Sequence, residues 1–487
     1  MITKISPTKL RLELTDSEIK LAKSFLTYTD KAAEQLLQRF KKNRWALQKL
    51  GEQAYYEEID RLKSQVKKSL LFADKEGLWT YSGLAEQLSK LLSAKVINEV
   101  EYPEPGLLPW VNKPKYEMYY YQKESLEKLL KENHGGVQIA TGLGKSYIIL
   151  HLVKELGLPS IVMAPSSSIA DQLYDMFEHH FGAKRVGKCY GGKKDYKKLI
   201  TVALPQTLIK LDPKSDCYKK LSKTQVFIGD ESHTLPAITM KEVCFGVAQE
   251  APYRFFFSAT QMRNDGKDLL LDAINGPIVY NMTAKEGVDQ GFISKPIFKM
   301  INMTTDSLPK SDDPNDITRH CLYYNINVNK KIGFLTNNFV KHLKHQVLIL
   351  IDEVAQFTKI LPYLEYEVGF AHGPLGENKA QVPEKYWESE PNALVKRFND
   401  GDLPVLIGTS CISTGTDIKT VNTLIYAMGG KSEIQLKQAI GRGTRLAPGK
   451  TEFNFIDFDI MNCQVTHRHA LARREIYNDV YPGLEEL

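Results

Sequence analysis

Residues 137–150 read VQIATGLGKSYIIL: an apolar run, two glycines, a lysine and a serine, then apolar residues again. That order is a strand, a tight turn and a helix. Gly142 and Gly144 let the backbone turn so that amide N–H groups converge on phosphate oxygens. Lys145 would then reach the outer phosphates as a point charge, and the Ser146 hydroxyl would ligate Mg2+. The helix that follows, SYIILHLVKEL, adds the dipole of its N-terminus to such an anion site. At one position the loop departs from the strict GxxxxGK[ST] pattern, with Ile139 where the outer glycine would stand.

Two further elements turn a glycine loop into a nucleotide site. VFIGDESH, about 85 residues on, sets Asp230 and Glu231 at the C-terminal end of an apolar strand, where ligand sites of parallel α/β sheets open. Asp230 can hold Mg2+ through water, and Glu231 can orient or deprotonate an attacking water. QLKQAIGRGTR carries Gln438, Arg442 and Arg445 in a QxxGRxxR spacing. On a helix, steps of four and three put all three on one face. From there guanidinium groups can reach a γ-phosphate as arginine fingers do.

Working outward, short strand-like runs alternate with amphipathic helices from residue 115 onward. GGVQIA, SIVMAP, LITVAL, VFIGDES and YRFFFSAT come first; HQVLILID, VGFAHG, PVLIGTS, TLIYAMG and FNFIDFD follow. Polar and basic segments interrupt the alternation across about 262–345. The pattern predicts an α/β chain with two tandem lobes built on parallel sheets. Ahead of them, KLRLEL alternates as a strand and DSEIKLAKSFL reads as a helix with an aspartate cap. Two long helical stretches follow, DKAAEQLLQRFKKNRWALQKL and YYEEIDRLKSQVKKSLLF. Lys41, Lys42, Arg44, Lys63, Lys67 and Lys68 lie along them, and a solvated face and phosphate contact both account for these charges. EYPEPGLLPWVNKP, with four prolines, marks a linker. The predicted division is a small α+β accessory domain over 1–112, a first lobe over 113–290 and a second over 291–487.

Composition bounds the function. At 487 residues, 43% apolar and 25% charged, the chain reads as a soluble globular protein of several domains. No apolar run approaches the roughly 18 residues of a membrane span, and the first residues lack the apolar centre of a signal peptide. Six scattered cysteines without a CxxC pair argue against a zinc ribbon, an iron–sulfur centre or a disulfide framework, and predict a reducing, cytoplasmic setting. A net charge of +6 permits a nucleic-acid partner without demanding one.

These motifs, in this order, resemble the superfamily 2 helicases and translocases over roughly residues 115–465. Tyr121–Gln122 stands where that superfamily reads adenine, ATGLGKS as motif I, APSSSIADQ as Ia, LPQTL as a strand-contact motif and DESH as II. SAT (Ser258 to Thr260), VLILIDEV, GTSCISTGTDI and QLKQAIGRGTR stand as motifs III to VI. The resemblance implies two RecA-like lobes with ATP between them. It places Tyr121, Gln122, Thr141, Gly142, Gly144, Lys145, Ser146 and Gln438 at the nucleotide, with Gly415 and Asp417 coupling it to nucleic acid. It makes Lys145, Asp230, Glu231, Arg442 and Arg445 the catalytic set, and Ser146 and Asp230 the Mg2+ ligands. Ser167, Gln206, Thr207, Thr409 and Ser410 take the nucleic-acid backbone. His372 in FAHG fits a strand contact or a structural role. The loop YGGKKDYKK (Lys193, Lys194, Lys197, Lys198) fits duplex phosphate or solvent.

Within the superfamily, Arg263, Asp265 and Gly266 after the SAT motif, together with DQGFISKP, resemble the DNA-directed branch of XPB-like and UvsW-like enzymes. DEAD-box RNA helicases carry DEAD where this chain has DESH. KSLLFADKEGLWTYSGLAEQLSKLL resembles the end of the small double-strand-binding domain of UvsW-like phage branch-migration helicases. The expectation is an ATP-dependent DNA helicase that unwinds forked or branched DNA and moves branch points. A duplex translocase serving a nuclease or restriction partner is one alternative, and an RNA helicase another. No PD…(D/E)xK nuclease pattern stands out, and the intact motor residues argue against a motorless sensor. Residues 303–335 and 374–392 carry no motif.

Overall fold

Runs of β-branched and aromatic residues pair into sheets, and amphipathic stretches cover them. A computed structural model describes residues 1–43, 49, 51–232, 237–259, 268–409, 412 and 418–481. Arg44, His233, Thr260, Arg263, Asp265, Gly266, Ser410, Gly415 and Asp417, all singled out from the sequence, lie outside the described residues. The chain folds as two compact units, Met1–Ile139 with Lys145–Asn281, and Ala140–Gly144 with Met282–Leu487.

The N-terminal strands are β1 (Ile2–Lys4), β2 (Lys9–Leu12), β3 (Thr27–Thr29), β4 (Lys67–Ser69), β5 (Phe72–Asp74), β6 (Gly77–Tyr81) and β7 (Val96–Asn98). Five of them form a mixed sheet in the order β5-β6-β2-β1-β7, and β3 pairs with β4 separately. The helix Asp16–Phe25 is capped by Thr15, not by the expected aspartate. Thr15 and Glu18 satisfy each other's backbone N–H groups there, at 3.4 and 2.7 Å. The two predicted long helices are shorter: Lys31–Lys42, capped by Asp30, and Glu52–Val66, entered through Gly51 at φ +79°. Lys67 and Lys68 therefore lie on a strand.

The first parallel sheet comprises β8 (His134–Ile139), β9 (Ser160–Met163), β10 (Val186–Cys189), β11 (Ile200–Ala203), β12 (Val226–Gly229), β13 (Tyr253–Ser258) and β14 (Ile278–Met282). Their order is β10-β11-β9-β12-β13-β8-β14. The second comprises β15 (Lys295–Met303), β16 (Val347–Leu350), β17 (Val368–Ala371), β18 (Val405–Gly408), β19 (Thr423–Tyr426) and β20 (Glu452–Ile460), in the order β15-β20-β19-β16-β18-β17. Both fit RecA-like lobes, preceded by the small α+β sheet. The interval 262–345 is no pause: it supplies β14, β15 and the long helix Ile326–Leu343. β10, β14 and β15 sit at sheet edges and carry Lys, Asn or Gly among their apolar residues, so their sequences look less like strands.

Two packing features bear on function. In the first unit, Ile2, Leu10, Tyr81 and Leu84 of the N-terminal sheet region share one apolar core with Ile161, Phe256 and Leu270 of the parallel sheet and its helices. Tyr81 stacks on Phe245 with ring centroids 4.4 Å apart. The predicted linker is bonded down as well: Gly106, Leu108 and Val111 donate to the carbonyls of Leu156, Lys154 and His180 at 2.7, 2.7 and 2.8 Å. Trp110 stacks on Phe181 at 5.2 Å.

Candidate active site

The phosphate-loop reading rests on backbone geometry first. Gly142 and Gly144 have φ of +93° and +77°, a region that a β-carbon disfavours, which explains both glycines. Lys145 is the first residue of the helix Lys145–Leu156 and is only 7% exposed. Its Nζ donates to the Ile139 carbonyl at 3.2 Å and pairs with Glu231 Oε1 at 3.2 Å. Ser146 is exposed and Thr141 half-buried.

The acidic pair follows β12 directly. Asp230 donates its N–H to the Met163 carbonyl, and its carboxylate accepts the Glu231 N–H at 2.9 Å. Burial and the adjacent Glu231 carboxylate push the Asp230 carboxyl well above its usual range, with Lys145 opposing. Glu231 has φ +45°, a conformation side-chain-bearing residues seldom adopt. Strain of this kind concentrates at sites whose side chains must be aimed. Ser232 follows, and its buried hydroxyl has no hydrogen-bond partner among the described residues.

Because β8, β13, β12, β9 and β11 run parallel, their C-terminal ends share one sheet edge. Lys145, Asp230 and Glu231 therefore emerge at the same edge as Ser167, at the exposed start of the helix Ser167–Phe181, and as Gln206 and Thr207 on Pro205–Ile209. Ligand sites of open α/β sheets lie along this edge.

The glutamine motif is less open. Gln122 is buried, and its Oε1 accepts the Tyr119 N–H at 3.0 Å, closing the start of the helix Tyr120–Glu132. Tyr121 is 1% exposed and belongs to the core, whereas Tyr119 and Tyr120 are about half exposed. The rings with open surface are thus two that the sequence reading passed over.

In the second unit, the helix Glu433–Gly443 carries Gln438, half-buried, and Arg442, buried. Arg445 is not on this helix. The helix ends at Gly443, whose carbonyl is taken by the Lys450 ammonium at 2.6 Å, so Arg445 lies in the turn that follows. The shared helical face predicted for all three residues holds for Gln438 and Arg442 only. Burial pushes the Arg445 guanidinium down to about 10. Thr409 follows β18 and donates its N–H to Ala371 at 3.2 Å. His372 is buried, with Nδ1 2.6 Å from the Gly373 carbonyl and Nε2 2.8 Å from that of Tyr386. Lys193, Lys194 and Lys197 are exposed, which fits both duplex phosphate and solvent.

The donor set suits a hard cation. Ser146 offers an exposed hydroxyl and Asp230 a carboxylate, both oxygen ligands. Among the described residues no group of three His, Cys, Asp or Glu is placed to hold a metal, so a Mg2+ here would complete its shell from phosphates and water.

Two family models match in tandem, one for each lobe. Residues 115–263 match the res subunit of type III restriction enzymes, and residues 330–447 match the helicase conserved C-terminal domain. The chain belongs to the superfamily 2 helicases. Like the other members it is an ATP-dependent enzyme of helicase type that uses a nucleotide and binds nucleic acid. The "DNA 3'-5' translocase XPB2" of Sulfurisphaera tokodaii is 23% identical over 414 residues, covering 75% of this chain and 88% of that protein. The structure of the type ISP restriction-modification enzyme LlaBIII bound to DNA matches 82% of this chain and 32% of its own, with TM-score 0.54 and 12% identity, and so shares the fold. UvsW of bacteriophage T4 aligns over 99% of this chain and 97% of its own, with TM-score 0.44 and 16% identity.

Proposed function

We propose that this chain is an ATP-driven DNA helicase that unwinds forked or branched DNA and moves branch points, in replication, recombination or repair within the cytoplasm. The observation that carries this reading is the N-terminal sheet sharing one apolar core with the first parallel sheet. An accessory domain anchored in this way travels with the motor, so a grip on duplex DNA would move as the motor steps. The similarity to a DNA translocase over three quarters of the chain supports DNA as the track. In this reading residues 1–112 form the accessory part, 113–290 the ATP-binding lobe and 291–487 the second lobe.

ATP is the substrate. The loop from Thr141 to Gly144, Lys145 and Ser146 would hold its phosphates, with Gln122 near the adenine and Gln438, Gly415 and Asp417 serving the nucleotide from the second lobe. Lys145 is paired with Glu231 at 3.2 Å. A γ-phosphate exchanging for that carboxylate would free Glu231 to take a proton from the attacking water. The new P–O bond forms to that water oxygen as the bond between the γ-phosphorus and the β-phosphate oxygen breaks. Arg442 and Arg445 would stabilise the transition-state charge. Ser146 and Asp230 would hold Mg2+, which offsets phosphate charge when bound. Ser167, Gln206, Thr207, Thr409 and Ser410 would track phosphate and sugar, so binding would be salt-dependent and largely sequence-independent.

The match to a restriction-enzyme subunit favours a second reading, a duplex translocase serving a nuclease. Steady-state ATPase with forked DNA, a four-way junction, blunt duplex, single strands and RNA separates the two, with Glu231→Gln as the blank. Stimulation highest on forks and junctions supports the helicase. Equal or greater stimulation by blunt duplex overturns it in favour of the translocase, and RNA in first place overturns both.

A further inference from the structure

Lys450 lies five residues beyond Arg445, in the segment PGK that precedes β20. It is 6% exposed, yet no carboxylate among the described residues pairs with its ammonium. Instead the three N–H donors meet three backbone carbonyls: Gly443 at 2.6 Å, Arg445 at 2.9 Å and Lys419 at 3.3 Å. Gly443 ends the motif VI helix, Arg445 carries the guanidinium, and Lys419 stands two residues beyond Asp417 of motif V. The Phe453 ring lies under the ammonium, 5.6 Å away. Ser294, in the DQGFISKP run, holds the same turn through its N–H to the Thr444 carbonyl at 2.6 Å.

We infer that Lys450 is a positioning residue for ATP hydrolysis, its ammonium clamping the Arg445 turn to the segment that follows motif V. The inference rests on the reading of Arg445 as a transition-state group. A buried charge is costly unless its bonds are good, and three carbonyls at one ammonium supply them. They also match the count of donors: a neutral amine has two N–H groups and a lone pair, which would face a carbonyl and repel it. The charged state is therefore what closes the clamp. Burial and the facing Arg445 guanidinium, the charged group set against it, push the ammonium down to about 7. The clamp would loosen as pH rises through that value, and the arginine's placement would follow.

The test compares wild type, Lys450→Met, Arg445→Ala and the double variant in steady-state ATPase, using whichever polymer stimulates most, with melting curves for each. Lys450→Met should lower kcat ~10–100-fold with KM for ATP changed less than ~3-fold, because the lost interaction serves the transition state. The double variant should be no slower than Arg445→Ala within ~2-fold, since both act through one guanidinium. Wild-type kcat should decline on the alkaline side of about 7, and this limb should vanish in Arg445→Ala. Full kcat in folded Lys450→Met, or losses that multiply in the double variant, would overturn the inference while leaving the arginine reading intact. Full kcat in Arg445→Ala would overturn the arginine reading, and this inference with it. Should Lys450→Met fail to fold, the two pH profiles decide: the same alkaline limb in both overturns the inference.

Discussion

Glu231 is held in a left-handed backbone conformation beside Asp230 and against Lys145. Glu231→Gln should keep nucleotide binding and lose turnover by ~10²–10⁴-fold, since a general base contributes about that much. A nucleotide titration beside the ATPase assay checks both halves, and loss of binding in a folded variant would deny Glu231 the role of base. The Asp230 carboxyl, raised by burial and by Glu231, must be ionised to serve a cation. The acidic limb of kcat/KM should consequently lie closer to neutrality than the roughly 4 of an ordinary carboxylate. A second residue-scale case concerns stability alone. Arg473 is 2% exposed and grips Asp457 through two N–H···O bonds of 2.8 and 2.9 Å, while Tyr477 donates to the same carboxylate at 2.5 Å. Arg473→Met would leave that buried carboxylate without its counter-charge and should cost about 3–5 kcal/mol in denaturant unfolding of the second lobe.

At the scale of elements, close approach decides where sheets and helices meet. Gly83 lies in the 3-10 turn Ser82–Leu84 that follows β6 and faces the helix Asp268–Asn275. A β-carbon there would stand 2.5 Å from the carbonyl oxygens of Asp272 and Ala273, both backbone and unable to swing aside. Gln87 Nε2 donates to Asp272 at 3.2 Å beside the same seam. Gly83→Ala should therefore pry the two elements apart and destabilise the first unit by ~1–3 kcal/mol, the usual cost of overpacking. A lowered melting temperature with faster proteolysis between residues 99 and 118 is the expected readout; an unchanged protein would mean the seam is looser than it stands here. The same logic explains the end of the motif VI helix. A β-carbon at Gly443 would overlap the Phe453 ring, so this turn of the helix sits directly on β20.

For the whole molecule, the shared core changes what a truncation means. Removing residues 1–112 would take away Ile2, Leu10, Tyr81 and Leu84 and expose Phe245, Leu270 and Ala273 to water. It would also remove the Trp110 stack on Phe181 and the linker's backbone bonds to the helices Lys145–Leu156 and Ser167–Phe181. Buried apolar area of this kind is worth ~25 cal/mol per Å2, so the first unit should lose stability or solubility outright. Circular dichroism melting and size exclusion of the truncated chain check this. A truncated protein with unchanged melting would instead make the N-terminal sheet a detachable accessory, and losses of DNA binding could then be read as losses of contact.

Local spacing alone made legible the glycine turn between a strand and a helix, the acidic pair at a strand end and ten buried strands. These are legible because a buried parallel strand must be apolar throughout and a phosphate turn must carry glycine, constraints that act within a few residues. Three of the four edge strands of the parallel sheets escaped, since β10, β14 and β15 carry Lys, Asn or Gly among their apolar residues, whereas β17, also at an edge, is apolar and buried throughout and was legible. The helix caps depended on which hydroxyl or carboxylate reached a backbone N–H, so Thr15 rather than Asp16 closes its helix. Only the tertiary structure decided that Tyr121 is core while Tyr119 and Tyr120 are open, because burial depends on what packs from elsewhere in the chain. It alone decided that Arg445 leaves its helix, which ends at Gly443 with that carbonyl bonded to the Lys450 ammonium from beyond the motif. And it alone joined the N-terminal sheet to the first lobe, through apolar contacts between residues more than 150 positions apart, a distance no periodicity records.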